Sequence, residues 1–144
     1  MDSPQKAPRK TILVAEDTAL VLKTVSLILE HANFTVLAAS NAGEAIRIAE
    51  SAKTIDVLLS DVMMPDMSGP DLALRLKELR PNMAVILMSG YDGGGVPLFN
   101  HGWHFIQKPF VPVHLVAKIH NVLADDMQDT REKSDLGLPA YLVN

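Results

Sequence analysis

The sequence contains no cysteine, which excludes disulfides, a thiolate zinc site and a cysteine nucleophile but leaves the compartment open. It has no apolar run near the roughly 18 residues a membrane helix needs. Met1 to Lys10 is polar and carries two prolines, with no apolar stretch behind its charges, so it does not resemble a secretory leader. A cytoplasmic protein without membrane contact is the default reading. Excess basic charge is missing as well: the net charge is -4, whereas a nucleic-acid surface needs clustered Lys and Arg. There is no HxH or HExxH zinc pattern, no internal repeat and no low-complexity tract.

What is present fits one domain. The 144 residues are 48% hydrophobic and 21% charged, close to soluble globular averages. Thr11 to Ala15 is a short branched apolar run and predicts a buried strand. Val21, Val25, Ile28, Leu29 and Ala32 then fall on one helical stripe that ends near Asn33. Thr35 to Ala38, Val57 to Ser60 and Ala84 to Met88 predict three more strands, and His104 to Gln107 a weaker fifth. Asn41 with Glu44, and Ser68 with Asp71, mark helix starts. Leu115, Ile119, Val122 and Leu123 line a final helix. Continuously apolar strands alternating with helices imply a parallel sheet covered on both faces, an α/β doubly wound architecture. The boundaries that follow are a flexible segment 1–9, a folded domain 10–123 and a disordered or partner-docking tail 124–144.

In such a sheet, ligands bind at the carboxyl ends of strands where the strand order reverses. Glu16 and Asp17 follow the first strand, Asp61 the third, Ser89 the fourth and Lys108 the fifth. With strand order 2-1-3-4-5, these groups converge on one rim. Three carboxylates brought together disfavour one another's ionised forms, and a hard cation relieves the conflict. Mg²⁺ takes oxygen ligands and is commonly held by one or two carboxylates plus a phosphate. An acid cluster joined by one lysine and one hydroxyl therefore points to a magnesium-assisted phosphoryl site. Each residue alone has a plainer reading: Glu16, Asp17 or Thr18 could cap the first helix, Ser89 could serve a turn, and lysines such as Lys108 are usually solvated. Four coincidences in the right strand order favour the site.

The segments Ile12 to Asp17 (ILVAED), Leu58 to Gly69 (LLSDVMMPDMSG), Ile86 to Tyr91 (ILMSGY) and Phe105 to Phe110 (FIQKPF) resemble the signature blocks of response-regulator receiver domains of two-component signalling. The resemblance covers roughly residues 10 to 123, and the MSGY block is similar to receivers of hybrid histidine kinases. It implies a flavodoxin-like five-stranded sheet and a phosphorylation switch with Asp61 as phosphoacceptor. Asp17 and Asp61 would ligate Mg²⁺, for which Mn²⁺ could substitute, with Glu16 acting through water and Met63 through its backbone carbonyl. Lys108 would contact phosphoryl oxygens. Ser89 and Phe105 would be the switch hydroxyl and aromatic, Met63 and Tyr91 would flank the site, and Lys108–Pro109 would be a cis peptide. The implied partners are a histidine kinase or phosphotransfer protein and a downstream protein, with the chain a monomer or weak dimer and without nucleic acid.

The sequence departs from the family between Gly90 and Trp103, where Gly93, Gly94, Gly95 and Pro97 stand. Glycine costs about 1 kcal/mol and proline about 3 kcal/mol in a helix interior. A shortened or irregular fourth helix, with an altered output surface, is expected there. No output module is expected after residue 123, which leaves a stand-alone switch or the receiver of a hybrid sensor kinase. A magnesium-dependent phosphatase with an aspartyl nucleophile would need a carboxylate two residues after Asp61, and position 63 is Met. His31, His101, His114 and His120 lack ligand spacing and are expected at the surface.

Overall fold

The computed structural model describes residues 8–90 and 102–136, with backbone alone for 126–136. The chain runs β1 (Thr11–Ala15), α1 (Ala19–His31), β2 (Thr35–Ala39), α2 (Ala42–Ser51) and β3 (Val57–Asp61). It continues through α3 (Gly69–Leu79), β4 (Ala84–Ser89), β5 (His104–Gln107) and α4 (Pro112–Leu136). All neighbouring strands are parallel, in the order β2-β1-β3-β4-β5, as the alternation of elements predicted. Among the described residues no helix is long and apolar enough to cross a membrane.

The period of two along each strand divides the core. Ile12, Val14, Val57, Leu59, Ile86 and Met88 meet Val25 and Leu29 of α1 and Leu115, Ile119 and Val122 of α4. Leu13, Ala15, Leu58, Val85 and Leu87 meet Ala45 and Ala49 of α2 and Leu72 and Leu76 of α3. Because both faces are covered, the central strands carry buried apolar residues on both faces instead of alternating with exposed polar ones.

Local chemistry sets the helix ends. At the end of α1, Asn33 adopts a left-handed φ of 71°. Its N–H donates to the Glu30 carbonyl and that of Phe34 to the Leu29 carbonyl, both at 3.0 Å, satisfying carbonyls the helix leaves open. At α2 the Asn41 side chain accepts the Glu44 N–H at 2.8 Å while the Glu44 carboxylate accepts the Ser40 N–H at 2.6 Å. At α3 the Ser68 hydroxyl accepts the Asp71 N–H at 3.1 Å.

Three strands run one residue beyond their predicted ends, to Ala39, Asp61 and Ser89, because the parallel ladder continues into the sheet rim. A larger difference lies in α4. The apolar stripe ends near Leu123, yet the helix continues to Leu136. Residues 124–136 contain no glycine or proline, so a helix nucleated by the docked stretch propagates through them without apolar periodicity. The expected shortening of a helix between Gly90 and Trp103 falls on residues 91–101, which lie outside the described residues, as do Tyr91 and His101.

Candidate functional site

The chain reverses direction across the sheet between β1 and β3, and this is where the acids gather. Ala15 pairs with Ser60, so Glu16 and Asp61 emerge side by side at the carboxyl end. Asp61 in turn pairs with Met88, and Ser89 with Gln107, which brings Lys108 to the same rim. One carboxylate oxygen from each of Glu16, Asp17 and Asp61 lies within 4.8 Å of the others. Lys108 Nζ donates to Glu16 Oε1 at 2.7 Å and to Asp61 Oδ2 at 3.3 Å.

The charges are partly enclosed. The Glu16 side chain is 0% exposed, that of Asp61 16% and that of Lys108 24%, so solvent screens these pairs weakly. Glu16 is oriented from both ends: its Oε2 accepts the Thr18 N–H at 3.0 Å, and its own N–H donates to the Ala39 carbonyl at 3.1 Å. Burial alone pushes the Lys108 ammonium down. The hydrogen bond to Glu16, then the charges of Asp61 and Glu16, outweigh burial and hold it above its ordinary value. Its contribution to stability is fully present below the ordinary lysine range and is lost only as pH rises through the raised value. The site therefore keeps its cationic group throughout neutral pH.

Three carboxylates around one point, one of them buried, match the oxygen donors that a hard divalent cation requires. Asp17, the exposed member, stands at the solvent side of the cluster. Lys108 places a second positive group against the two inner acids.

The remaining predicted residues surround this cluster in different ways. Ser89, half-buried, ends β4, and its carbonyl accepts the Lys108 N–H at 2.6 Å. Phe105, half-buried on β5, packs against the apolar cluster beneath α2 and α3. Met63 is 73% exposed, and Lys108–Pro109 is cis. His31, His114 and His120 are exposed, although the His120 ring lies 5.3 Å from that of Phe34.

A profile for the response regulator receiver domain matches residues 12–120. The chain belongs to this family. Among curated relatives, the receiver is 29% identical to the DNA-binding transcriptional regulator NtrC of Bradyrhizobium sp. (strain RP501 Parasponia), over 90% of this chain and 28% of that protein. It is 34% identical to the phosphate regulon transcriptional regulatory protein PhoB of Pseudomonas aeruginosa, over 79% of this chain and 52% of that one. The receiver thus spans between about a quarter and a half of these relatives' length. A solved CheY-like receiver from Methanospirillum hungatei JF-1 superposes with a TM-score of 0.76 at 31% identity, covering 84% of this chain and 98% of that one. The receiver of the hybrid histidine kinase CckA gives 0.68 at 31% identity, covering 78% and 98%.

Two contributors to the site are absent from the sequence reading. Gly69 packs so closely under Asp61 that an added Cβ would lie 2.2 Å from the Asp61 carbonyl oxygen. Asp66, in the loop between β3 and α3, reaches back to α2 and accepts the N–H groups of Ala42 and Gly43 at 3.1 and 3.0 Å. The bond from Gly43, then that from Ala42, holds its carboxyl below the usual range. The stabilisation from this contact is present above the ordinary carboxylate range and fades as pH falls below about 4.

Proposed function

We propose that this receiver is a phosphorylation-dependent signalling switch in which Asp61 accepts a phosphoryl group from a histidine kinase or phosphotransfer protein. The observation that carries the reading is the meeting of three carboxylates within 4.8 Å, with Lys108 bonded to two of them. An Asp61 carboxylate oxygen forms the new bond to phosphorus as the phosphorus–nitrogen bond of a phosphohistidine breaks and its electron pair returns to the imidazole. Asp17 and Asp61 directly, Glu16 through water, and the Met63 carbonyl would hold Mg²⁺ or Mn²⁺. When bound, the cation supplies charge neutralisation at the phosphoryl oxygens. Lys108 supplies a preorganised donor for the same oxygens.

The product is a mixed anhydride open to water, so the signal has a finite lifetime. Exposed Met63, two residues after the acceptor, flanks the site and tunes that access. Phosphorylation adds about 1.5 to 2 negative charges and three acceptor oxygens. Ser89 turns to donate to them, and Phe105 rotates inward, carrying the change to a partner-binding surface near β5. The working unit is residues 10–123, with 1–9 and 124–144 as flanking segments of a cytoplasmic protein.

Turnover of external substrates is disfavoured by Met63 at the position where a phosphatase would carry its acid. Incubation with acetyl phosphate and Mg²⁺ separates the two chemistries. The switch retains at most one labile phosphoryl group per chain and none in excess chelator. Steady, rapid phosphate release without a retained group would identify an enzyme instead.

A further inference from the structure

The loop from Val62 to Ser68 carries the proposed Met63 ligand and is fixed at both ends. Val62 N–H donates to the Met88 carbonyl at 2.9 Å, and Gly69 N–H closes back on the Val62 carbonyl at 2.7 Å. Val62 and Met64 are buried beneath it, while Met63, Pro65 and Asp66 face outward. Core packing therefore holds the base of the loop. Its outer part reaches another element through the Asp66 carboxylate, whose two oxygens accept separate α2 N–H groups. This is a charge-assisted pair at a helix N-terminus, where the dipole adds to it.

The same stretch of chain also holds the other side of the site. Glu16 N–H donates to the carbonyl of Ala39, the last residue of β2, and three and four residues later come the N–H groups that Asp66 grips. The turn bearing Glu16 and Asp17 and the loop bearing Met63 thus hang from one junction, the link between β2 and α2. Asp66 closes the ring from Asp61 through its own loop to that junction and back to Glu16.

We propose that Asp66 is a positioning residue for the cation site: by tethering the 62–68 loop to the β2–α2 junction, it sets the loop against the acids of the β1 turn. The proposal rests on the Mg²⁺ reading given above. Outer contacts that orient ligands are worth about ten to a hundred-fold in metal affinity where they have been removed. Asp66 acts one step further out, on a backbone carbonyl, so the lower end applies.

The test compares Mg²⁺ affinity, by titration calorimetry on the full chain, for wild type, Asp66→Ala, Asp66→Asn and Asn41→Ala. Asn41→Ala removes the side-chain cap at the same helix N-terminus without touching the loop, so it reports loss of α2 stability alone. Asp66→Ala should weaken Mg²⁺ about tenfold, Asp66→Asn by less because an amide oxygen still accepts, and Asn41→Ala within about twofold of wild type. If Asp66→Ala binds as wild type does, or falls no further than Asn41→Ala, the positioning role is wrong while the cation site stands. If wild type itself fails to bind Mg²⁺, the reading beneath the proposal falls with it.

Discussion

Replacing Lys108 by methionine should slow phosphoryl uptake from a small donor by about a hundred to a thousand-fold, the effect of deleting one preorganised donor to developing charge. The substitution keeps the aliphatic stem and removes the ammonium that now reaches Glu16 at 2.7 Å and Asp61 at 3.3 Å. Stability should fall too, since the fully buried Glu16 carboxylate loses its nearest countercharge. Breaking a fully buried pair costs about 3–5 kcal/mol, but the Lys108 head is partly solvated, so about 1–3 kcal/mol is expected. Because a bound cation replaces the missing charge, Mg²⁺ should restore part of that loss. Denaturant unfolding with and without Mg²⁺, beside stopped-flow uptake well below the unfolding midpoint, measures both effects. Lys108→Arg should recover stability better than rate, because a planar guanidinium does not present charge as a compact ammonium does. Uptake within a fewfold of wild type in the methionine variant would remove Lys108 from the chemistry.

Among the described glycines, Gly69→Ala should be the change that meets the closest backbone. The new Cβ would sit 2.2 Å from the Asp61 carbonyl oxygen and 3.1 Å from the Asp61 carbonyl carbon and the Val62 Cα. These are backbone atoms, so no flexible side chain can turn away, and the loop under the acceptor must shift. Overpacking of this kind costs about 1–3 kcal/mol, and the upper end is expected here. The displaced atoms belong to Asp61 itself, so the uptake rate should fall with stability. Gly90→Ala is the internal comparison: among the described residues, nothing lies within 4 Å of an added Cβ there. It should stay within about 0.5 kcal/mol of wild type. Equal unfolding midpoints for the two alanine variants would contradict the close approach at Gly69.

The architecture was legible because its strands are buried on both faces and so read as unbroken apolar runs set between helical stripes. Asp61 and Ser89 fall just past such runs, which is why apolar criteria stopped one residue short while still pointing at the rim. The final helix outran the reading because apolar spacing marks only the docked part, and its last residues rest on propensity alone. Glu16, Asp17, Asp61 and Lys108 could be grouped from sequence because each falls at the carboxyl end of a strand, and a 2-1-3-4-5 order brings those ends together. Asp66 could not. Its partners are backbone N–H groups more than twenty positions earlier, and a backbone donor leaves no residue type for a pattern to find. The tight space at Gly69 was hidden for a related reason: Ser68 and Asp71 already explained the residue as part of a helix start.

Intact-mass measurement of wild type and Asp61→Asn, each treated with a small phosphodonor and Mg²⁺, tests the central claim most directly. Wild type should gain the mass of one phosphoryl group, lose it on standing or in alkali, and gain none in chelator. Asp61→Asn should stay at its starting mass. A wild-type chain that remains unmodified, or an asparagine variant that gains the same group, would contradict the assignment of Asp61 as acceptor.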